Sequence, residues 1–202
     1  MRIGFVVEGS NEDAGDVHAI RALCLRIAEE QGISREPVVV AGGSKPDVLR
    51  EANNHVAALR ASGCQRVVIV WDNCPPWSGD LDADQASCEA IAWNGINDAG
   101  HPPANIFTVC SRRELEAWLL TDASVVSSML RNIGRGSMPS ISGSNQPDTI
   151  DRPKHRLHKW FYLRCNRPPT GPEYAAMFSQ AKLTKLRRSA SFKAFEATIA
   201  GT

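Results

Sequence analysis

The amino-acid sequence predicts an α/β fold, an open parallel sheet of about four strands with helices on both faces and a small helical extension at the C-terminal end. The first observation is the run Arg66–Asp72, in which five consecutive apolar residues end abruptly in an acid. Such a run is typical of a strand that is covered on both faces, as in a parallel sheet. The second observation is that strand-like and helix-like segments alternate four times before about residue 130. The third is the 43% hydrophobic content of the 202 residues, which is enough for one substantial core.

The strands are predicted from short apolar runs that end in turn-forming or acidic residues. They cover residues 3–7, 37–41, 66–72 and 105–110. Between the first two strands, Ser10 with Asp13 three residues later predicts a capped helix start, and Gly32 predicts its end.

Three more helices are predicted in the same way. Apolar residues on one face mark a single helix before Gly63, which follows the second strand. Asp84 predicts the cap of a helix that runs to about residue 98. Ser111 and Glu114 have the spacing of a capping box, so a helix is expected to begin directly after the fourth strand.

The domain organisation follows from where this alternation stops. Residues 1–130 form the predicted α/β domain, and residues 131–153 are a Gly/Ser/Pro-rich segment that predicts a flexible loop or lid. Residues 154–202 are expected to be a basic helical extension packed on the same domain, with helices at about 155–164, 173–180 and 191–199.

Charge and cysteine content narrow the class of protein. Residues 1–150 carry 12 Lys/Arg and 19 Asp/Glu, a balance of −7, whereas residues 151–202 carry 11 and 3, a balance of +8. An acidic body with a basic tail suits a cation site beside a surface for polyanions, although solvated charges would give the same split. The six scattered cysteines lack metal or disulfide spacing, and no apolar run reaches the length of a membrane span. A cytoplasmic protein without membrane contact is therefore expected.

Acids follow three of the four predicted strands. Glu8 follows the first strand, Asp72 ends the third, and Glu114 and Glu116 follow the fourth. The carboxyl ends of parallel strands meet at one edge of the sheet, where such folds place their chemistry. Clustered carboxylates repel one another unless a cation lies among them, and all-oxygen sites favour Mg²⁺ or Mn²⁺. Each acid could instead be a turn or cap residue. Glu114 and Glu116 are two residues apart on the predicted helix, so they cannot easily face one metal ion together.

Basic residues are the candidates for binding a phosphate-containing substrate. Lys45 follows a Gly-Gly pair, and Arg113 precedes the acids after the fourth strand. Lys154, Arg156 and Lys159 belong to a basic-aromatic helix that could bind a nucleic-acid backbone. A partly buried helix with solvent-exposed lysine and arginine ends would have the same sequence.

Four sequence segments together resemble the Toprim family of domains. The stretch 7–12 resembles the V-E-G-x-x-E opening of these domains, and the end of the third strand lies where they carry D-x-D. Residues 113–122 and 191–195 are similar to the R-x-E-L-E-A-W-L-L-x-D and S-F-x-x-F segments of a Toprim-like bacterial family of uncharacterised function.

This resemblance implies roles for individual residues. Glu8 takes the place of the family's glutamate, which acts as general acid/base or metal ligand, and Glu12 is the second catalytic candidate. Asp72 takes the place of the first Mg²⁺-binding aspartate, whereas Cys74 stands where the second is expected, and a thiol is a poor Mg²⁺ ligand. Glu114 or Glu116 is then the replacement ligand.

The leading hypothesis is a Mg²⁺-dependent (or Mn²⁺-dependent) nuclease or related phosphoryl-transfer protein that acts on nucleic acid. The resemblance further implies a bacterial phage-defence or mobile-element setting, with a partner protein encoded nearby or a homodimer as expectations. One alternative is a catalytically degenerate Toprim-like module that binds a protein or nucleic acid. A further alternative is a receiver-like phosphoacceptor domain with Asp72 as the acceptor.

Overall fold

The central sheet has four parallel strands in the order β2-β1-β3-β4. They are β1 (Arg2–Val7), β2 (Glu36–Ala41), β3 (Arg66–Asp72) and β4 (Ile106–Ser111). The computed structural model describes residues 1–34, 36–73, 76 and 79–200 of the chain. The sheet has helices on both faces, which confirms the predicted α/β fold class.

The burial of β3 explains its composition. All seven of its residues are buried, and its inner position gives it neighbours on both edges. β-branched side chains fit this pleated, doubly covered environment well. The run of apolar residues therefore places β3 between β1 and β4, with Asp72 at its carboxyl end.

Three helices cover one face of the sheet. They are α2 (Lys45–Arg50), α3 (Ala52–Ala61) and α4 (Leu81–Asp98), and they pack their apolar sides on Ile69 and Trp71. The sequence predicted one helix where α2 and α3 stand, but the chain breaks at Glu51, whose backbone dihedrals of −95° and 14° are not helical.

The other face is covered by α1 (Gly15–Glu30) together with helices from the C-terminal third of the chain. The remaining elements are α5 (Leu115–Leu119), α6 (Ala123–Ile133), α7 (Pro153–Cys165), α8 (Gly171–Gln180), α9 (Leu183–Leu186) and α10 (Ala190–Ala200), with short 3-10 turns at 120–122 and 147–149. The three predicted helices of the tail correspond to α7, α8 and α10, and α9 is an addition to the prediction.

The tail supplies part of the central core. Phe192 and Phe195 of α10 are fully buried, and the Phe195 ring lies 5.8 Å from that of Phe5 in β1 and 5.5 Å from that of Trp118 in α5. The Trp118 indole N–H also donates a hydrogen bond to Ser191 at 2.9 Å. The S-F-x-x-F segment is thus a core element that joins the C-terminal end of the chain to the sheet.

Two predicted helix starts are wrong because a different side chain fixes the backbone ahead of each helix. α1 begins at Gly15 rather than near Ser10, since the Asn11 side chain accepts the Asp13 N–H in a turn before the helix. α4 begins at Leu81 rather than near Asp84, because the Asp80 carboxylate accepts the N–H groups of the helix's second and third residues.

The capping box predicted at Ser111 and Glu114 is also wrong. Ser111 still belongs to β4, where its carbonyl accepts the Asn73 N–H at 2.8 Å. α5 begins at Leu115, and its first N–H is bonded to the carboxylate of Asp72. Asp72, which is distant in the sequence, therefore takes the place of the local cap that was predicted at Ser111.

The segment 131–153 starts with the last turn of α6 and then has little regular structure. Its backbone is tied to α5 and its neighbours, since Ser144 N–H donates to the Leu120 carbonyl and the Arg113 side chain donates to the Asp148 carbonyl. Pro147 and Ile150 are buried. The second half of this segment therefore packs against the protein.

Glu173 provides a test of how α8 is held. Its carboxylate binds Arg167 with two hydrogen bonds of 2.6 and 2.7 Å and accepts the Thr170 N–H, and the Arg167 guanidinium is the main cause that lowers its pKa. We expect Glu173→Gln to lower the free energy of unfolding by about 1–2 kcal/mol at pH 7. Because the folded-state pKa is depressed, this stabilisation exists above the unfolded pKa and is lost as pH falls through the folded value. Urea unfolding from pH 7 to pH 3 should show the difference between wild type and variant shrinking below about pH 4.5; a constant difference would contradict this.

Candidate functional site

The acids predicted at the strand ends meet at one edge of the sheet. The Oε1 atom of Glu8 accepts a hydrogen bond from the backbone N–H of Asp72 at 2.7 Å. This contact continues the pairing of β1 with β3 beyond the last paired residues, Val6 and Ile69. The side chain of Glu8 therefore lies over the carboxyl end of β3, as the parallel topology predicts.

Gly9 turns the chain sharply after Glu8. Its φ of 155° is favoured by glycine, and a Cβ atom there would lie 2.6 Å from the Cβ of Ala14. Gly9 also exchanges two backbone hydrogen bonds with Gly43, which follows β2. Backbone geometry therefore favours glycine at position 9 of the motif, directly after Glu8.

Asp72 connects the end of β3 to the helix after β4. It is 6% exposed, and its Oδ1 atom accepts the N–H of Leu115 at 3.0 Å. A carboxylate at a helix N-terminus is favoured by the free N–H groups there. Since α5 starts at this contact, its second residue, Glu116, is directed towards the same interior space.

Glu114 and Glu116 have different surroundings. Glu116 is fully buried, and its Oε1 atom accepts a hydrogen bond from the Tyr174 hydroxyl at 2.6 Å. Glu114 instead accepts the backbone N–H of Lys154 at 2.8 Å and so holds the start of α7. Glu116 is therefore the one of the two that faces the interior space, and Glu114 joins α5 to α7.

A lysine ammonium lies among these acids. The Nζ atom of Lys154 is 3.4 Å from Asp16 Oδ2 and 3.7 Å from Glu116 Oε1. We call Glu8, Asp16, Asp72, Glu114 and Glu116 together the acid cluster. Lys154 was predicted to contact substrate phosphate, and the structure places its side chain, 36% exposed, against the acid cluster.

The acid cluster holds several carboxyl groups close together in a poorly solvated space. Burial raises the pKa of Glu8 and of Glu114, raises the pKa of Asp16 to about 7, and raises that of Asp72 well above its usual range. Asp16 adds to the effect on Asp72 by repulsion. Attraction to the Glu116 carboxylate is the main cause that raises the pKa of Lys154, so the ammonium stays charged.

Tyr174 and His158 complete the interior hydrogen bonds. The His158 Nε2 atom lies 3.2 Å from the Tyr174 hydroxyl, which itself donates to Glu116. Burial raises the pKa of Tyr174 and lowers that of His158. Both therefore favour their neutral forms, and among the described residues Lys154 is the cation that pairs with Glu116.

The donor atoms of the acid cluster suit a hard cation. Asp16 Oδ1 and Glu116 Oε2 are buried and lack a hydrogen-bond partner among the described residues. Carboxylate oxygens of this kind are the ligands that Mg²⁺ and Mn²⁺ prefer. Yet nowhere in the ranges that the structure describes do three His, Cys, Asp or Glu side chains form a ready metal-binding group. With the side chains in these positions, the gap beside Glu8, Asp16 and Asp72 is too small to admit a water molecule.

Two predicted site residues lie beside the acid cluster rather than in it. Glu12 is exposed, with Oε2 3.5 Å from Arg21 and Oε1 accepting the Ala41 N–H at 3.4 Å. Lys45 is buried at the start of α2 and donates to the Asn73 carbonyl at 3.2 Å. Its charge lowers the pKa of Glu8, a smaller effect than the burial that raises it.

The remaining predicted residues are dispersed. Arg113, which precedes Glu114, donates its Nε hydrogen to the Asp148 carbonyl. Arg156 and Lys159 lie on the face of α7 that is turned away from the acid cluster. Cys74, which stands at the second-aspartate position of the resemblance, lies outside the described residues.

Sequence reasoning missed Asp16 and Tyr174. Asp16 precedes Ile20 by four residues, on the face of α1 that is otherwise apolar and buried. An acid on the inward face of an amphipathic helix that starts at the functional edge was the available signal. Tyr174 had no such signal, because only the packing of α8 on α1 brings it to Glu116.

No protein-family model, curated protein or solved structure matches the chain. None of the helices in the described ranges combines the length and hydrophobicity that a membrane-spanning segment requires.

Proposed function

We propose that the protein is a Mg²⁺-dependent (or Mn²⁺-dependent) phosphodiester hydrolase, or a related phosphoryl-transfer enzyme, that acts on nucleic acid. The observation that carries the proposal is the acid cluster at the carboxyl edge of the parallel sheet, where chemistry is expected in this fold class. Glu8, Asp72 and Glu114 each accept one backbone N–H, but Asp16 and Glu116 each keep a buried oxygen without a partner among the described residues.

Glu8, Asp72 and Glu116 are the residues that would hold the ion. When bound, such an ion neutralises charge on a transferring phosphoryl group and lowers the pKa of a bound water. Because the gap beside Glu8, Asp16 and Asp72 does not admit a water molecule, these carboxylates must separate when the ion binds. Lys154 lies against Glu116 and Asp16, so its ammonium must move aside or share the carboxylates with the ion. We therefore expect weak, millimolar-range metal affinity in the wild type, in keeping with the reluctant dehydration of Mg²⁺.

The biological setting is part of the same proposal. The resemblance to Toprim-type domains supports a nucleic-acid substrate and a bacterial phage-defence or mobile-element role. A cytoplasmic location, a homodimer and a partner protein encoded nearby belong to that setting. The positive balance of residues 151–202 supports a polyanionic ligand.

A second candidate is a catalytically inactive module in which Lys154 permanently takes the place of a metal. The contacts of the Lys154 ammonium with Asp16 and Glu116 favour it, since an internal cation already compensates the buried charge. The receiver-like alternative has less support, because Asp72 is 6% exposed and a small phosphodonor has little access to it.

Metal titration tests the hydrolase. Calorimetric titration of MgCl₂ and of MnCl₂ into wild type should give saturable binding, and Glu8→Gln/Asp72→Asn should weaken it at least tenfold because two carboxylate ligands are lost. Wild type should cleave single-stranded or double-stranded DNA or RNA in the presence of either ion, and EDTA should stop the cleavage.

A matched control removes the same negative charge elsewhere. Glu29→Gln/Asp98→Asn changes two exposed acids outside the acid cluster and should bind metal as wild type does. Absence of binding at millimolar metal, or binding that is equal in both double variants, would contradict the hydrolase and favour the inactive module.

A further inference from the structure

The helix that carries Lys154 has a second, outward face. Lys154, Leu157 and Phe161 point from α7 into the protein, whereas Lys159, Tyr162 and Leu163 are exposed on the other side. With 3.6 residues per turn, Arg156, Lys159 and Leu163 lie on one stripe of the helix, and Tyr162 lies beside it. The stripe is spatially separate from the acid cluster.

Two clefts follow this stripe, one on each side of Leu163. The first has a volume of about 340 Å³ and is lined by Arg156, Lys159 and Leu163 together with Ser140 from the segment before α7. The second has a volume of about 490 Å³ and is lined by Arg135, Tyr162 and Leu163 among others. Leu163 lines both, so the two clefts form one continuous surface, which we call the α7 track.

The charge of the α7 track is positive and uncompensated. Among the described residues, no acidic side chain lines either cleft. Within the described part of the chain, Arg135, Arg156 and Lys159 make no ion pair. By contrast, Arg167 at the end of the second cleft is bonded to Glu173 and so contributes little. Three cations without an ion-pair partner along the two clefts match a ligand with several negative charges.

The α7 track also exposes flat and apolar groups between its cations. Tyr162 is 52% exposed, Leu163 is 54% exposed, and Ile133 is 36% exposed at the rim of the second cleft. These three side chains line the same cleft, and exposed apolar groups that adjoin one another are a feature of binding surfaces. A ligand for the α7 track therefore combines several negative charges with planar apolar groups.

We infer that the α7 track binds single-stranded nucleic acid. Sites for single strands combine a positive groove for the backbone with aromatic side chains on which bases stack. A duplex keeps its base faces stacked inside and offers only phosphate to Tyr162. A symmetric contact with a second copy would bring the cations of both copies together, which like-charge repulsion disfavours. This inference deepens the proposed function, because it names single-stranded nucleic acid as the substrate class. Only the biological purpose of the binding rests on the proposed function; the binding itself does not require hydrolase activity.

Fluorescence anisotropy with labelled oligothymidylate of about 20 nucleotides, longer than typical site sizes, tests the inference. EDTA in the buffer separates binding from any cleavage. Wild type should bind the oligonucleotide more tightly than a duplex of the same length. Arg156→Gln/Lys159→Gln should weaken binding at least tenfold and reduce the slope of log affinity against log salt by about 1.4, from two lost phosphate contacts. Tyr162→Ala should weaken it about 5- to 150-fold with the slope unchanged.

The matched control is Arg50→Gln/Lys193→Gln, which removes two exposed positive charges on α2 and α10. Its binding should remain within about twofold of wild type, because neither residue lines the α7 track and salt screens the attraction of exposed charges elsewhere. The inference is overturned if wild type does not bind the oligonucleotide, if both double variants weaken it equally, or if an acidic amphipathic peptide binds the track and the oligonucleotide does not. Glu8→Gln/Asp72→Asn should still bind the oligonucleotide, so a failed hydrolase and a failed track give different results.

Discussion

Phe195→Ala is expected to lower the free energy of unfolding by about 3–5 kcal/mol, the largest effect of the changes considered. Phe195 has no exposed surface, and its ring contacts those of Phe5, Trp118 and Phe192. Removing it leaves a cavity between β1 and α10 that these large rings cannot fill. Since typical domains are stable by about 5–15 kcal/mol, the variant should lose much of its resistance to urea.

Urea unfolding followed by both tryptophan fluorescence and circular dichroism measures this effect. Both probes should report one transition at the same lower midpoint, because α10 belongs to the core of the sheet. Lys193→Ala on the exposed side of α10 is the control and should stay within about 0.5 kcal/mol of wild type. A separate early transition of the tail, with the main transition unchanged, would show that residues 154–200 fold independently and would contradict the structure.

Lys154→Met is expected to lower the free energy of unfolding by about 2–4 kcal/mol at pH 7. This is somewhat below the usual cost of breaking a buried ion pair, because the lysine side chain is 36% exposed. Methionine keeps most of the aliphatic length but leaves Asp16 and Glu116 without the ammonium. If the acid cluster binds Mg²⁺ as proposed, added MgCl₂ should stabilise this variant more than wild type, since binding to the folded state adds to its stability.

Lys159→Met provides the control within the same helix. Lys159 is exposed and makes no ion pair in the described ranges, so its loss should change stability by less than about 0.5 kcal/mol. Urea unfolding of both variants, with and without 5–10 mM MgCl₂ (about the range that suits weak sites), gives the comparison. Equal stability of the two variants would mean that the acid cluster does not need the Lys154 ammonium.

The fold class was predictable because it depends on local sequence patterns. The apolar run that forms β3, the alternation of strands and helices, and the helical periodicity of residues 155–164 each depend on neighbours in the chain. Parallel topology then follows from the connections, and with it the meeting of Glu8 and Asp72 at one edge of the sheet. Both acids could be placed together because strand direction alone brings them there.

Helix boundaries and the charge balance of the site depended on contacts between distant parts of the chain. Asp72 replaces Ser111 as the cap of α5 across 43 residues, and Lys154 reaches Asp16 across 138. Local propensity contains no information about such partners, because a carboxylate accepts any N–H or ammonium that packing brings to it. The sequence could therefore indicate which edge of the sheet gathers acids, whereas the packing of α1, α7 and α8 placed Asp16, Lys154 and Tyr174 beside them.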